Sequence, residues 1–171
     1  MKDLVDILKN TRQHLMNGVS HMIPVVVSGG ILFAIAAMLS MNSVQTSASV
    51  SSAGLAGFLS NVGSVGLGLM VPVLSAYIAA SIADRPGIAP GIIGGQLAVN
   101  VGAGFIGGIV TGLVAGIAAY YLKKIPLPKS IQSLKAIFIV PLLATLITGF
   151  VIVVVVGNPC AALLKFLEGW L

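Results

Sequence analysis

A chain of 171 residues that is 57% apolar and only 8% charged, with mean hydropathy +1.09, is not a soluble domain, which carries about a quarter charged residues. Its net charge of +5 sits at the ends of apolar runs with no basic stripe of interleaved aromatics, so it orients the chain in a membrane and marks no nucleic-acid partner. Cys160 is the only cysteine, no acid lies within an apolar run, and His14 and His21 have no carboxylate at ligand spacing. This excludes an intrachain disulfide, a CxxC site, a carboxylate-pair hydrolase and a proton-relay pump, and no metal or cofactor is expected.

Met1 to Gly18 precedes the first apolar run. Leu4, Val5, Leu8 and Leu15 fall near one helical face, with Lys2, Asp6, Lys9, Arg12 and Gln13 elsewhere. That spacing predicts an amphipathic helix resting on the membrane surface, with His14 and His21 solvated or capping. The polar lead is too long for a signal-peptide n-region and the run after it too long for an h-region, so no cleavage is expected. Met22 to Met41 is long enough to span, with Pro24 tolerated in its first turn and a flat spot at Gly29-Gly30. Asn42 to Asn61 is Ser-rich and uncharged, which predicts a loop with a short interfacial helix at Gly54 to Leu59. A second span follows from Val62 to Ala83, kinked by Pro72. Asp84-Arg85-Pro86-Gly87 then makes a tight polar turn, expected to be solvated and to hold a local ion pair.

The stretch from Pro86 to Leu122 has no formal charge and holds ten of the chain's 21 glycines. Gly87, Gly91 and Gly95 recur every fourth residue, as do Gly104, Gly108, Gly112 and Gly116, so each set lines one helical face. In lipid, small residues at that spacing let helices pack closely, because lipid supplies no hydrophobic drive between them. A pore or substrate wall is the other reading of such a face. One continuous helix here would be about 55 Å long against a hydrocarbon core of roughly 30 Å. Asn100-Val101-Gly102-Ala103-Gly104 offers the break, leaving a short arm, Ile88 to Val101, and a fuller one, Gly104 to Leu122.

Lys123, Lys124, Lys129 and Lys135 frame a basic, proline-stiffened connection. Ile137 to Val156 is the last clear span, stopped by Gly157-Asn158-Pro159. Cys160 to Leu171, with Lys165, Glu168 and Trp170 among leucines, reads as an interfacial helix. If the Gly-rich stretch crosses twice and the N-terminus is cytoplasmic, eight of the nine Lys and Arg residues face the cytoplasm. If it crosses once, or its short arm is re-entrant, the division is five against four. The positive-inside rule favours the first. The expected fold is an all-α integral membrane protein, a single membrane domain over 1–171 with about five transmembrane segments, the third short. The expected location is a bacterial inner membrane.

Three passages carry a family resemblance: HLMNGVSHMIPVVVSGGIL from His14, IADRPGIAPG from Ile82 and GFIGGIVTG from Gly104. Together they resemble the membrane IIC component of fructose-type permeases of the bacterial phosphoenolpyruvate-dependent phosphotransferase system. LKKIPLPKSIQSLK and GNPCAALLKFLEGWL are similar to that family too. The resemblance implies uptake of a fructose-like sugar coupled to its phosphorylation, with cytoplasmic A and B components as partners and a homodimer that presents the sugar to the B component, the phosphoryl donor. In that family the first half builds the scaffold and the dimer contact, and the second half carries the re-entrant hairpins and the sugar-holding polar residues. This chain resembles the first half alone, so it is expected to be a split or truncated IIC whose partner is the remaining half. Cys160 does not match the B-component motif, and no catalytic residue is expected here.

Gln96, Asn100, Thr111 and Ser28 lie within apolar runs. Gln96 and Asn100 are the substrate-binding candidates, although a packing or helix-breaking role suits each of the four better, and no complete sugar site is expected in this chain alone. Asp84 and Arg85 are candidates for a cytoplasmic turn, and Gly104, Gly108, Gly112 and Gly116 for helix packing. The rival readings are a small homo-oligomeric structural or channel-forming membrane protein and a non-functional gene remnant.

Overall fold

The computed structural model describes residues 2–45, 50–125 and 138–156, and every regular element among them is helical. Lys2–Lys9 forms α1, Thr11–Gln45 α2, Val50–Gly68 α3, Met70–Ala83 α4, Ile88–Asn100 α5, Gly104–Lys124 α6 and Val140–Val151 α7. A 3-10 turn over Arg85–Gly87 leads into α5, and a π-type turn over Ile152–Val156 extends α7. Three stretches, Thr11–Met41, Gly54–Ala83 and Gly104–Lys124, are long and apolar enough to cross a bilayer, and Val140–Val154 is a shorter apolar helix. With α5, helices occupy each of the five expected positions, so the protein is an all-α membrane protein. The Pro159 stop and the C-terminal interfacial helix lie outside the described residues.

Two boundaries differ from expectation. The amphipathic helix ends at Lys9, not Gly18, and Thr11 already begins the long α2. The turn at Asn10 is tight: the Thr11 hydroxyl donates to the Leu8 carbonyl at 2.7 Å, and the His14 amide to Asn10. The segment expected as a loop from Asn42 to Asn61 is helical up to Gln45 and again from Val50, so Gly54 to Leu59 belongs to α3. Serine and glycine favour turns when water can take the freed backbone groups. In lipid those groups must be satisfied within the helix, and serines there fold back onto the preceding turn, as Ser40 does onto the Ala36 carbonyl at 2.9 Å.

Pro72 acts where its chemistry requires. It has no N–H for the carbonyl four residues earlier, that of Gly68. There α3 ends; after a one-residue turn at Leu69, α4 begins. The other break, between α5 and α6, is a Schellman closure. Gly102 adopts φ +74°, its amide bonds the Val99 carbonyl at 3.0 Å, and the Ala103 amide bonds the Ala98 carbonyl at 2.9 Å. Ala98 and Ala103 then pack together in one buried cluster with Ile152.

The chain falls into two compact units, Met22–Met70 and Met1–His21 with Val71–Leu171. In the first, α2 and α3 meet backbone to backbone. A Cβ placed on Gly66 would lie 2.9 Å from the Gly29 Cα, and one on Gly63 2.6 Å from the Phe33 nitrogen. Around this contact Ile23, Val27, Ile31, Phe58 and Val65 are exposed. Apolar surface of that extent belongs in lipid or beneath a partner.

In the second unit α4 is the hub. Gly87, Gly91 and Gly95 of the turn and α5 face it on one side, with added Cβ positions 2.6 Å from the Ala79 carbonyl oxygen, 2.6 Å from the Ala76 Cα and 2.8 Å from the Pro72 Cα. Gly108, Gly112 and Gly116 of α6 face it on the other, 2.5 Å from Val71, 2.8 Å from Ile78 and 2.7 Å from Ile82. Leu74, Ala76, Ile78 and Ala79 are consequently buried. The remaining faces of α5 and α6 close on α7, with Gly94 receiving the methyls of Thr111 and Thr148. These threonines satisfy themselves, each hydroxyl donating at 2.6 Å to the carbonyl four residues back.

Candidate functional site

Three groups of polar side chains interrupt this apolar framework. The first is Gln96 with Asn100. One helical turn apart on α5, they continue the face of Ala89, Ile92 and Ile93, whose near end borders a groove beside the start of α7, and both are exposed. The Gln96 amide donates to the Asn100 side-chain oxygen at 3.2 Å. These two substrate-binding candidates are therefore brought together. Thr111 is buried and self-satisfied, and Ser28 donates to the Val25 carbonyl at 3.0 Å.

The second group is the turn between α4 and α5. Asp84 has φ 60° and ψ −149°, a region normally left to glycine. Its carboxylate accepts a hydrogen bond from Lys123 at 2.6 Å, so the ion pair expected within the turn is made instead to the far end of α6. The sequence places Arg85 next to Asp84, but the chain direction inside the 3-10 turn gives the contact to Lys123. That pair joins the start of the α5 arm to the end of α6. Arg85 is exposed, and among the described residues it has no carboxylate partner. Asp84, Arg85 and Lys123 stand at the mouth of a cavity of about 720 Å³ that runs down between Ile88, Ala89, Ile92 and Pro141.

The third group was not singled out from the sequence. The turn at Asn10 and the first turns of α2 set Asn10, Gln13, His14, Asn17 and Ser20 along one face, and Ser81 of α4 closes a cavity of about 410 Å³ against them. Ser81 gives its proton to the Ile78 carbonyl at 2.8 Å. The same hydroxyl lies 2.7 Å from the His14 Nδ1, so it joins α2 to α4. Asn17 donates to the Tyr77 carbonyl at 3.3 Å, and His21 stacks on the Tyr77 ring with centroids 4.1 Å apart. His21 is exposed and bonds the Asn17 carbonyl of its own helix at 2.9 Å, in keeping with the expected solvated role, whereas His14 is half-buried against Ser81. The signal that would have found them is the polar repeat at three- and four-residue spacing. It was masked because the same repeat also describes the wet face of a surface helix.

The predicted packing glycines divide. Gly108, Gly112 and Gly116 lie against α4, whereas Gly104 has nothing within 4 Å of an added Cβ and instead starts α6 at φ +54°. Gly104 thus serves the reversal, and the four-residue repeat places it beyond the end of the shared face. Lys129, Lys135 and Cys160 lie outside the described residues.

Residues 16–170 match the family described as Phosphotransferase system, EIIC. Among curated proteins the chain is 49% identical, over all of its length, to the Fructose-like permease IIC component 2 of Escherichia coli (strain K12), of which it covers 47%. It is 52% identical over 95% of its length to a PTS system fructose-specific EIIB'BC component of Haemophilus influenzae, covering 29% of it. To the PTS system fructose-specific EIIABC component of Bacillus subtilis it is 43% identical over 93% of its length, covering 25%. The chain spans less than half the length of these relatives. No solved structure matches it.

Proposed function

Because the chain belongs to the phosphotransferase system EIIC family, we propose that it is the N-terminal, scaffold-forming half of a permease domain that takes up a fructose-like sugar as the sugar is phosphorylated. The relatives are named as fructose-like or fructose-specific components, and several carry B or A parts in the same polypeptide. On this reading the phosphoryl-carrying residues belong to those cytoplasmic parts. This chain supplies the single membrane domain's packing core, through Gly108, Gly112 and Gly116, and the homodimer contact. Its N-terminus, with Asp84, Arg85 and Lys123, lies on the cytoplasmic side of the cell membrane.

The observation that carries the reading is the outward Gln96–Asn100 pair. Polar groups deep in a bilayer are held inside bundles or cavities. Ser28, Ser40, Thr111 and Thr148 each satisfy their hydroxyl on a carbonyl of their own helix. A carboxamide couple on an open apolar face therefore fits a surface that the complementary half covers, where it meets that half's polar groups or the sugar itself.

The test is co-expression in membranes with the complementary portion of the Escherichia coli relative and the soluble components. The expected result is copurification and phosphoenolpyruvate-dependent fructose phosphorylation that needs both pieces. Failure of both, or unaltered activity on replacing Gln96 and Asn100 together by leucine, overturns the role given to this face.

A further inference from the structure

We propose that the groove between α5 and the start of α7 holds one anionic phospholipid, its phosphate at Arg85 and part of one acyl chain between the helices. The inference rests on the membrane fold alone and is independent of the transport reading.

The cavity whose mouth carries Asp84, Arg85 and Lys123 shares Ala89 and Pro141 with a second cavity of about 520 Å³. The second continues between Ile93, Leu142 and Leu146. The two form one groove with a charged end and an apolar body. Among the described residues the one polar side chain in that body, Thr145, already gives its hydroxyl proton to the Pro141 carbonyl at 2.7 Å. The described lining therefore offers methylene contacts and no free donor, which suits an alkyl chain and not a sugar or a peptide backbone.

Charge at the mouth selects the headgroup. Lys123 engages the Asp84 carboxylate, so among the described residues lining the mouth one net positive charge remains, on Arg85. A guanidinium fork matches a phosphate diester in shape and charge. Basic pockets between transmembrane helices are where anionic headgroups bind. Depth agrees as well. The 21 residues of α6 rise about 31 Å, close to the hydrocarbon thickness, which puts Lys123 in its last turn at the headgroup boundary. The ion pair holds Asp84, and hence Arg85, at that level. From Phe138, two residues ahead of α7, to Leu146 the wall descends about 12 Å, long enough for the upper part of an acyl chain.

The full chain is purified, stripped of lipid in detergent and titrated with phosphatidylglycerol or with phosphatidylcholine of identical acyl chains, and bound lipid is read by native mass spectrometry. One phosphatidylglycerol is expected to be retained at least tenfold more tightly than phosphatidylcholine. Arg85→Gln should remove that preference and leave weak, headgroup-independent binding. Ala89→Trp, at the exposed neck shared by both cavities, should reduce both lipids. Circular dichroism and elution volume report on folding, and the Arg85→Gln arm stands if the tryptophan variant is unstable. Equal affinity for the two lipids, or an unchanged preference in Arg85→Gln, overturns the proposal. So does displacement of bound lipid by millimolar inorganic phosphate, or a second copy or another chain filling the groove in place of lipid.

Discussion

Gly112→Ala is the sharpest probe of the α4 hub, because two effects of opposite sign compete there. In an exposed helix the change should stabilise, glycine being about 1 kcal/mol worse than alanine. At Gly112, however, the new Cβ would sit 2.8 Å from the Ile78 Cβ and 2.9 Å from the Ser75 carbonyl oxygen. Ordinary contact begins near 3.4 Å, so α4 and α6 must part by about half an ångström or more. Neither obstacle is the free end of a flexible side chain: one is backbone and the other a branched Cβ on a buried residue. Overpacking of this kind costs about 1–3 kcal/mol, which outweighs the propensity gain and gives net destabilisation of about 1 kcal/mol. Gly57, within α3 and with nothing within 4 Å, is the control. There the same change should be neutral or stabilising. Denaturant titration of both variants in mixed micelles reads the difference in sign. Equal stability of Gly112→Ala and Gly57→Ala would refute the close approach of α6 to α4.

Asp84→Gly should be stabilising by about 1 kcal/mol, since releasing the φ 60° backbone is worth about 1–3 kcal/mol and the exposed pair with Lys123 at most about 1. Asp84→Ala loses the pair without that relief, so if thermal unfolding ranks it at or above glycine the assigned strain is wrong. Ser75→Ala should not destabilise, because the Ser75 hydroxyl is buried without a hydrogen-bond partner among the described residues and its removal leaves nothing unpaired. A loss of more than about 1 kcal/mol in the same titration would show that the hydroxyl is engaged. In a Cys160→Ser background, a cysteine at position 124 should resist a membrane-impermeant maleimide in intact cells and react in inside-out vesicles. Labelling from outside would reverse the proposed orientation.

Much of this fold is legible in the sequence because lipid imposes few solutions. The arms Ile88 to Val101 and Gly104 to Leu122 emerge within two residues of the observed ends, as helix length against bilayer thickness requires a break and Gly102 supplies one. The glycine repeats announce that a backbone comes close. They do not say which one, and a single α4 lying between both repeats follows only from the three-dimensional crossing. What failed did so for two reasons. Turn preferences measured in water misjudged Asn42 to Asn61, and contacts between residues far apart in sequence, His14 with Ser81 and Asp84 with Lys123, leave no local mark.

The Asp84–Lys123 pair also bears on the question that charge counting alone decides weakly, whether the short arm crosses or dips. Its two residues flank the whole Gly-rich stretch, and a 2.6 Å contact requires both flanks to lie at one end of the α5–α6 hairpin. A re-entrant α5 would return to its own side before α6 crosses, and the flanks would then lie about 30 Å apart on opposite faces. The 13 residues of α5 rise about 20 Å, and the 3-10 turn over Arg85–Gly87 adds about 6 Å, which nearly matches α6. The shortness of α5 is thus made up by the turn at its head and the Schellman closure at its foot. In a hairpin so matched, the Gln96–Asn100 pair lies toward the end opposite Lys123, on the half of the open face farthest from Arg85. The open face of α5 is thereby divided, with a charged end suited to a lipid headgroup and a carboxamide end suited to protein or sugar.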